Sequence, residues 1–108
     1  MEERTFNLGR EVIFLAKKIK MDIVNQSVVN QLVRSATSIG ANYMEADCAE
    51  SKKDFKHKIS ICKKESKETT YWLRVLETAN PEKKELCHSL RKEAHELTLI
   101  FSSIVNKI

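Results

Sequence analysis

Residues 51–81 read SKKDFKHKISICKKESKETTYWLRVLETANP, and this segment identifies the architecture. Its apolar and small residues recur at alternating steps of four and three, the spacing of a helix seam that packs against other helices. The seam consists of Phe55, Ile59, Cys62, Ser66, Thr69, Leu73 and Leu76. Ser51 suits a helix N-cap, and Asp54 is an acidic near-match to the glutamate of a capping box. The segment therefore predicts a helix over about residues 52–78, and the small middle of its seam favours close approach of a neighbour.

The next residues predict another helix, over about residues 81–107. Asn80 suits the N-cap and Pro81 the first helical position, with Glu82 and Glu85 near the positive end of the helix dipole. Its seam consists of Leu86, Leu90, Ala94, Leu97, Phe101, Ile104 and Ile108.

Two further helices precede the segment. An apolar stripe predicts a helix over about residues 26–49, and it keeps its phase across Gly40. A glycine inside a helix costs about 0.5–1 kcal/mol relative to alanine, so we expect another helix to approach closely there. The alternative is a break at Gly40 that divides the helix. A shorter stripe predicts a helix over about residues 7–20, followed by a turn at 21–25. The two stripes are Val29, Leu32, Val33, Ala36, Ile39, Tyr43 and Ala46, and Leu8, Val12, Leu15, Ala16 and Ile19.

Four helices with short turns predict an all-α fold, an up-down-up-down antiparallel four-helix bundle that forms one domain over residues 1–108. Only 2 glycines and 1 proline among 108 residues support this prediction. The first helix is about half as long as the last two, so part of the long helices lacks a covering partner. This mismatch is a reason to expect self-association.

The lengths of the apolar runs and the spacing of the cysteines exclude several classes of protein. The longest apolar run, Val12 to Ala16, is too short for a membrane span or a secretory signal. Three cysteines without a CxxC spacing predict neither a disulfide framework nor a zinc site, and a reducing cytoplasm is the expected location. We expect Cys62 to be buried, and Cys48 and Cys87 to lie nearer the surface.

The net charge of +4 is concentrated in the second half of the chain. Seven lysines fall between residues 52 and 67, against Asp54 and Glu65. Such a density is a candidate footprint for RNA or DNA, although a lysine-rich helix face is more often simply solvated. The candidate nucleic-acid residues are Lys52, Lys53, Lys56, Lys63, Lys64 and Lys67.

Two further lines of residues lie outside the apolar seams, and the packing of a simple bundle does not explain them. On the third helix Ile61, Glu65, Glu68 and Trp72 stack away from the seam. Trp72 there is either an interface anchor or packed on the edge of the monomer core. On the second helix a polar line consists of Arg34, Ser38, Asn42 and Glu45. We expect Arg34 to pair with Glu65 or Glu68, within the chain or across an interface. The alternative is a solvated arginine without a fixed partner.

No pattern indicates an enzyme, a cofactor or a small-molecule substrate. His88 and His95 are two helical turns apart, too far to share a metal ion by themselves. No HExxH, P-loop or GxGxxG occurs.

Two segments together resemble a known family. Arg34-Ser35-Ala36-Thr37-Ser38-Ile39-Gly40-Ala41-Asn42-Tyr43, followed by Glu45-Ala46, is similar to the signature of the bacterial four helix bundle proteins, also called 23S ribosomal RNA intervening-sequence proteins. The second segment contains Asp54-Phe55, Lys58-Ile59-Ser60-Ile61, Lys64-Glu65, Glu68-Thr69 and Tyr71-Trp72-Leu73. Met44 stands where this family is expected to carry a basic residue.

The resemblance implies an up-down bundle that assembles into a ring-shaped homopentamer. It also implies kinship with the accessory protein of diversity-generating retroelements, a basic pentamer that works with a reverse transcriptase and nucleic acid. Two hypotheses follow. The chain is a non-enzymatic scaffold that binds RNA or DNA through the lysines, or it is a protein-interaction module without nucleic-acid contact.

Overall fold

The computed structural model describes residues 1–108 as four α-helices. They are α1 (Glu2–Lys17), α2 (Ile23–Asp47), α3 (Lys52–Ala79) and α4 (Lys84–Lys107), and a 3₁₀ turn (Pro81–Lys83) precedes α4. The helices form a rod of 44 × 20 × 19 Å, in which α3 packs against α2 and α4, and α1 packs mainly against α2. The predicted all-α four-helix bundle is therefore confirmed. No helix combines the length and hydropathy that a membrane crossing requires.

The seam of α3 forms the centre of the core. Ile59, Leu73 and Leu76 are fully buried, and so are its small members Cys62, Ser66 and Thr69. The hydroxyl of Thr69 donates a hydrogen bond to Ser35 Oγ of α2 at 3.0 Å. Small side chains in the middle of α3 therefore allow the predicted close approach of a neighbouring helix, which is α2.

The seam of α4 begins one residue later than predicted. Cys87 is fully buried, whereas Leu86 is 42% exposed. The heptad explains this difference, because position 87 lies seven residues before the buried Ala94 and position 86 lies eight before it. The expectation that Cys87 lies near the surface, and that Leu86 belongs to the core, is wrong.

The first two helices begin earlier than their apolar stripes indicate. α1 covers residues 2–17 and not 7–20, and its first turn carries Glu2 and Glu3 near the positive end of the dipole. α2 begins at Ile23 and not at Gln26, because the Asp22 side chain accepts a hydrogen bond from the Asn25 amide at 2.8 Å. Polar or exposed first turns carry no apolar periodicity, so the stripes could not reveal them.

α2 runs without interruption through Gly40, as predicted. A Cβ atom at Gly40 would lie 3.5 Å from Thr5 Oγ1, and one at Gly9 would lie 3.7 Å from the Ala36 carbonyl oxygen. The two glycines thus line opposite sides of one contact between α1 and α2. The expected close approach of another helix occurs here.

The turns at one end of the bundle are joined by a pair of buried asparagines. Asn25 and Asn80 exchange two side-chain hydrogen bonds, at 3.0 and 2.8 Å. In the turn between α2 and α3, at the other end of the bundle, Ser51 caps α3 as predicted, since its hydroxyl accepts a hydrogen bond from the Asp54 amide at 3.0 Å. Asn80 occupies the N-cap position of the 3₁₀ turn, but its side chain makes no cap hydrogen bond there. The predicted N-cap position of Asn80, directly before Pro81, is therefore confirmed, but the Asn80 side chain bonds Asn25 and does not cap the turn.

Candidate nucleic-acid interface

The lysines predicted from the sequence lie on the outer surface of α3. Lys52, Lys56, Lys63 and Lys67 recur at helical spacing along one side, and all are exposed except the half-buried Lys63. Lys53 and Lys64 are exposed on the adjoining face. Lys58 does not belong to this surface, because it pairs with Glu45 of α2 at 2.8 Å. That hydrogen bond raises the pKa of Lys58.

The lysine side of α3 continues into an open cleft between α3 and α4, with a volume of about 790 Å³. Its lining residues are Lys67, Thr70, Tyr71 and Arg74 from α3, and His88, Arg91, Lys92 and His95 from α4. The lining therefore contains four permanent cations and two imidazoles, and no carboxylate. We call these eight residues the basic cleft.

Sequence reasoning missed the contribution of α4 to this surface. Arg91 and Lys92 each lie three or four residues from His88 and from His95, so the four residues share one face of α4. Their spacing was visible in the sequence. What it could not reveal is which neighbouring helix that face meets.

Arg91 lies close to two other side chains, Glu77 and His88. Its Nη1 lies 3.7 Å from Glu77 Oε1, and its Nη2 lies 3.4 Å from His88 Nδ1. That carboxylate oxygen of Glu77 is buried and accepts no hydrogen bond. Glu77 therefore attracts the guanidinium electrostatically, without being part of the cleft lining.

A second hollow of about 590 Å³ adjoins the basic cleft along α3. Its lining includes Lys63 and Lys64, and it shares Lys67 and Tyr71 with the cleft. One carboxylate, Glu68, also lines this hollow, and its charge is paired with Arg34. The two hollows thus form one basic track, with Tyr71 where they meet. The Tyr71 side chain is 58% exposed, and its ring centroid lies 5.0 Å from that of Trp72 at an interplanar angle of 74°.

The polar line of α2 faces the second line of α3. Arg34 Nη1 donates to Glu65 Oε2 at 3.0 Å, and Nη2 donates to Glu68. Trp72 Nε1 also donates to Glu68, at 3.2 Å. Desolvation raises the pKa of Glu68, but the Trp72 hydrogen bond and the Arg34 charge outweigh it, so the pKa is lowered. The predicted pairing of Arg34 is present, with both glutamates and within one chain.

The remaining residues of the two lines also find partners inside the chain. Asn42 Nδ2 donates to Ser38 Oγ at 3.0 Å, and Glu45 pairs with Lys58. Ile61 and Trp72 are half-buried, and Trp72 packs against the core. Trp72 thus occupies the edge of the monomer core, and any role of this surface between protomers stays a prediction.

Two of the three thiols are buried. Burial raises the pKa of Cys62 to about 12 and that of Cys87 to about 11, so both thiols stay protonated at neutral pH. Cys48 alone is exposed. No group of three or more His, Cys, Asp or Glu side chains has the arrangement of a metal site.

Comparison with known proteins identifies a family and a similar solved structure. Residues 1–103 match the family model described as 23S rRNA-intervening sequence protein. A crystal structure at 1.70 Å of a protein with unknown function from the S23 ribosomal protein family of Bacteroides thetaiotaomicron is similar to the chain, with a TM-score of 0.85. That protein is 30% identical, and the similarity covers 96% of each chain. No curated protein matches the sequence.

Proposed function

Because the chain belongs to the 23S rRNA-intervening sequence protein family, we propose that it is a non-enzymatic, homo-oligomeric scaffold that binds RNA or DNA without strong sequence preference. The binding surface is the lysine side of α3 together with the basic cleft. The site of action is the cytoplasm, where its three free cysteines stay reduced.

The observation that carries this proposal is the composition of the basic cleft. Cations from two helices converge on a cleft that no carboxylate lines, although the chain has 15 acidic residues. A surface that is only solvated usually mixes both signs of charge. A continuous basic track of this kind attracts phosphate groups and releases their counterions.

Fluorescence anisotropy with short labelled RNA and DNA tests the proposal. We expect binding that weakens steeply between low and physiological salt, with little dependence on sequence. The slope of log K against log salt measures the number of phosphates contacted, at about 0.7 per phosphate for single strands. Absence of binding to either nucleic acid at low salt would contradict the proposal.

Charge reversal locates the surface. Changing Lys52, Lys56, Lys63 and Lys67 to Glu removes four cations from the proposed surface. The matched control changes Arg10, Lys17, Lys18 and Lys20 to Glu, which alters the net charge equally on exposed residues of α1 and its following turn. We expect the first variant to lose binding and the second to retain most of it. Equal losses would indicate that only the net charge matters.

The homo-oligomer is a proposal that the family resemblance supports, with a pentamer as the implied state. α1 has 16 residues and α3 has 28, so α1 leaves much of the bundle uncovered. Large apolar side chains are exposed beside α1, including Phe14 at 51% and Leu86 at 42%. Burial of such side chains between protomers would contribute to association.

The same apolar surface supports a second candidate function, a protein-interaction module without nucleic-acid contact. Phe14, Leu86 and Leu90 line a groove of about 220 Å³ between α1 and α4, on the side of α4 away from the basic cleft. In that case the lysines serve only solvation. The anisotropy titration distinguishes the two functions, since this one predicts no binding even at low salt.

A further inference from the structure

We propose that the basic track binds single-stranded nucleic acid in preference to duplex, with one unpaired base stacked on Tyr71. The inference rests on the proposed function and adds the strandedness of the ligand and the residue that selects it. Phosphates on either side of the stacked base lie against the cations of the two hollows.

Tyr71 is the only aromatic residue that lines either hollow. Lys67 precedes it by one helical turn and Arg74 follows by one, so cations flank the ring along α3. Arg91 and Lys92 line the same cleft from α4. An exposed aromatic ring inside a positively charged groove is the arrangement with which proteins bind single strands, because every base offers a face for stacking.

A chain of contacts connects the Tyr71 ring to α2. Arg34 holds Glu68, Glu68 accepts from the Trp72 indole, and the Trp72 ring contacts Tyr71. Trp72 thus supports one side of the Tyr71 ring, while more than half of the residue stays open to solvent. A ring that is supported on one side loses less entropy than a free side chain when a base stacks on it.

Duplex nucleic acid cannot use this residue in the same way. Its bases are paired and stacked inside the helix, so only its phosphates can reach the track. Single strands therefore gain the Tyr71 contact in addition to the phosphate contacts, whereas duplexes gain the phosphate contacts alone.

The test compares the parent protein with Tyr71→Ala and Tyr71→Phe, using labelled single-stranded DNA of 12 thymidines, RNA of 12 uridines and a duplex of 12 base pairs. For Tyr71→Ala we expect single-strand affinity to fall by about 5- to 150-fold, the range found for loss of one stacking aromatic. Tyr71→Phe keeps the ring and should bind within about twofold of the parent. The salt slope and the duplex affinity should stay unchanged in both variants, because no cation is removed.

Trp72 provides an independent spectroscopic signature. It is the only tryptophan of the chain and contacts Tyr71 directly. Stacking of a base on Tyr71 should change the Trp72 emission when single strands are added, and this change should disappear in Tyr71→Ala. Thermal unfolding verifies that each variant is folded.

The outcomes separate this inference from the proposed function. If the parent binds single strands and duplex equally, or if Tyr71→Ala binds single strands as the parent does, the stacking inference is overturned while nucleic-acid binding stands. If the parent binds no nucleic acid at low salt, both fail.

Discussion

Arg34 contacts two carboxylates of α3 that differ in their exposure. The side chain of Glu65 is 9% exposed and that of Glu68 is 30% exposed, while the arginine itself is 46% exposed. A solvated ion pair contributes little to stability, but a carboxylate as buried as Glu65 needs a partner. Arg34 therefore matters mainly because Glu65 would otherwise stand unpaired in a dry environment.

The first prediction concerns Arg34→Ala. We expect it to lower the free energy of unfolding by about 1–3 kcal/mol, since the Glu65 carboxylate loses its donor. Arg34→Lys should lower the free energy of unfolding by less, because an ammonium keeps the positive charge beside Glu65. It should still lower it somewhat, because an ammonium lacks the planar fork that bridges two carboxylates. Urea denaturation followed by far-UV circular dichroism measures all three proteins. A parent-like midpoint for Arg34→Ala would mean that the pairing is energetically neutral.

The second prediction concerns pH and Glu68. The pKa of Glu68 is lower in the folded chain than its ordinary value of 4.5. The unfolded chain therefore binds more protons than the folded one as the pH falls below that value, and the stability from this carboxylate is lost there. We expect the parent to lose more stability between pH 6 and pH 3 than Glu68→Gln, which has no charge to titrate. Parallel curves of urea midpoint against pH would contradict this.

At the scale of elements, sequence reasoning succeeded where one face of a helix is buried along most of its length. α3 lies between two neighbours, so its seam of Ile59, Cys62 and Leu73 is visible as an unbroken heptad. The first turns of α1 and α2 are exposed or polar and follow capping chemistry, which a search for apolar periodicity overlooks. The prediction for α4 chose Leu86 as a core residue because leucine is strongly apolar. The seven-residue spacing from Ala94 identifies Cys87 as the core position instead.

The same scale explains what could be predicted of the candidate site. The lysines of α3 and the Arg34 pairing follow from spacing on single helices and from charge complementarity. To predict the basic cleft, one must know that the face of α4 with Arg91 and Lys92 lies beside the lysine side of α3. That juxtaposition depends on the rotation of two helices about their axes, which the buried seams determine together.

The third prediction tests the contact between α1 and α2. A methyl group at Gly40 would meet Thr5 at ordinary van der Waals distance, 3.5 Å or more. Gly40→Ala should therefore stabilise the protein by about 0.5–1 kcal/mol through helix propensity. Gly40→Leu should destabilise it by about 1–3 kcal/mol, because the larger side chain would force the helices apart. A lower urea midpoint for Gly40→Ala would show that the helices need a closer approach than a methyl group permits.

At the scale of the whole molecule, two surfaces differ in how far the chain itself satisfies their side chains. The polar line of α2 and its partners on α3 satisfy one another within the chain, and they leave few groups for a neighbour to complete. The groove between α1 and α4 is different, since nothing in the chain covers Phe14 or Leu86. We therefore expect protomers to associate through the α1–α4 groove, while the basic cleft on the opposite side of α4 stays open to nucleic acid.

The fourth prediction follows from this arrangement. Sedimentation equilibrium of the parent should give a mass of several protomers of 12.5 kDa, about five for the pentamer that the family resemblance implies. The double variant Phe14→Asp, Leu86→Asp should shift the protein towards the protomer mass without unfolding it, because both side chains are already exposed. The matched control Met44→Asp, Leu99→Asp changes two side chains that are each 57% exposed on other faces, and it should keep the parent mass. If the control dissociates and the groove variant does not, the interface includes the surface around Met44 on α2 or Leu99 on α4. Access of nucleic acid to the basic cleft would then depend on the state of assembly.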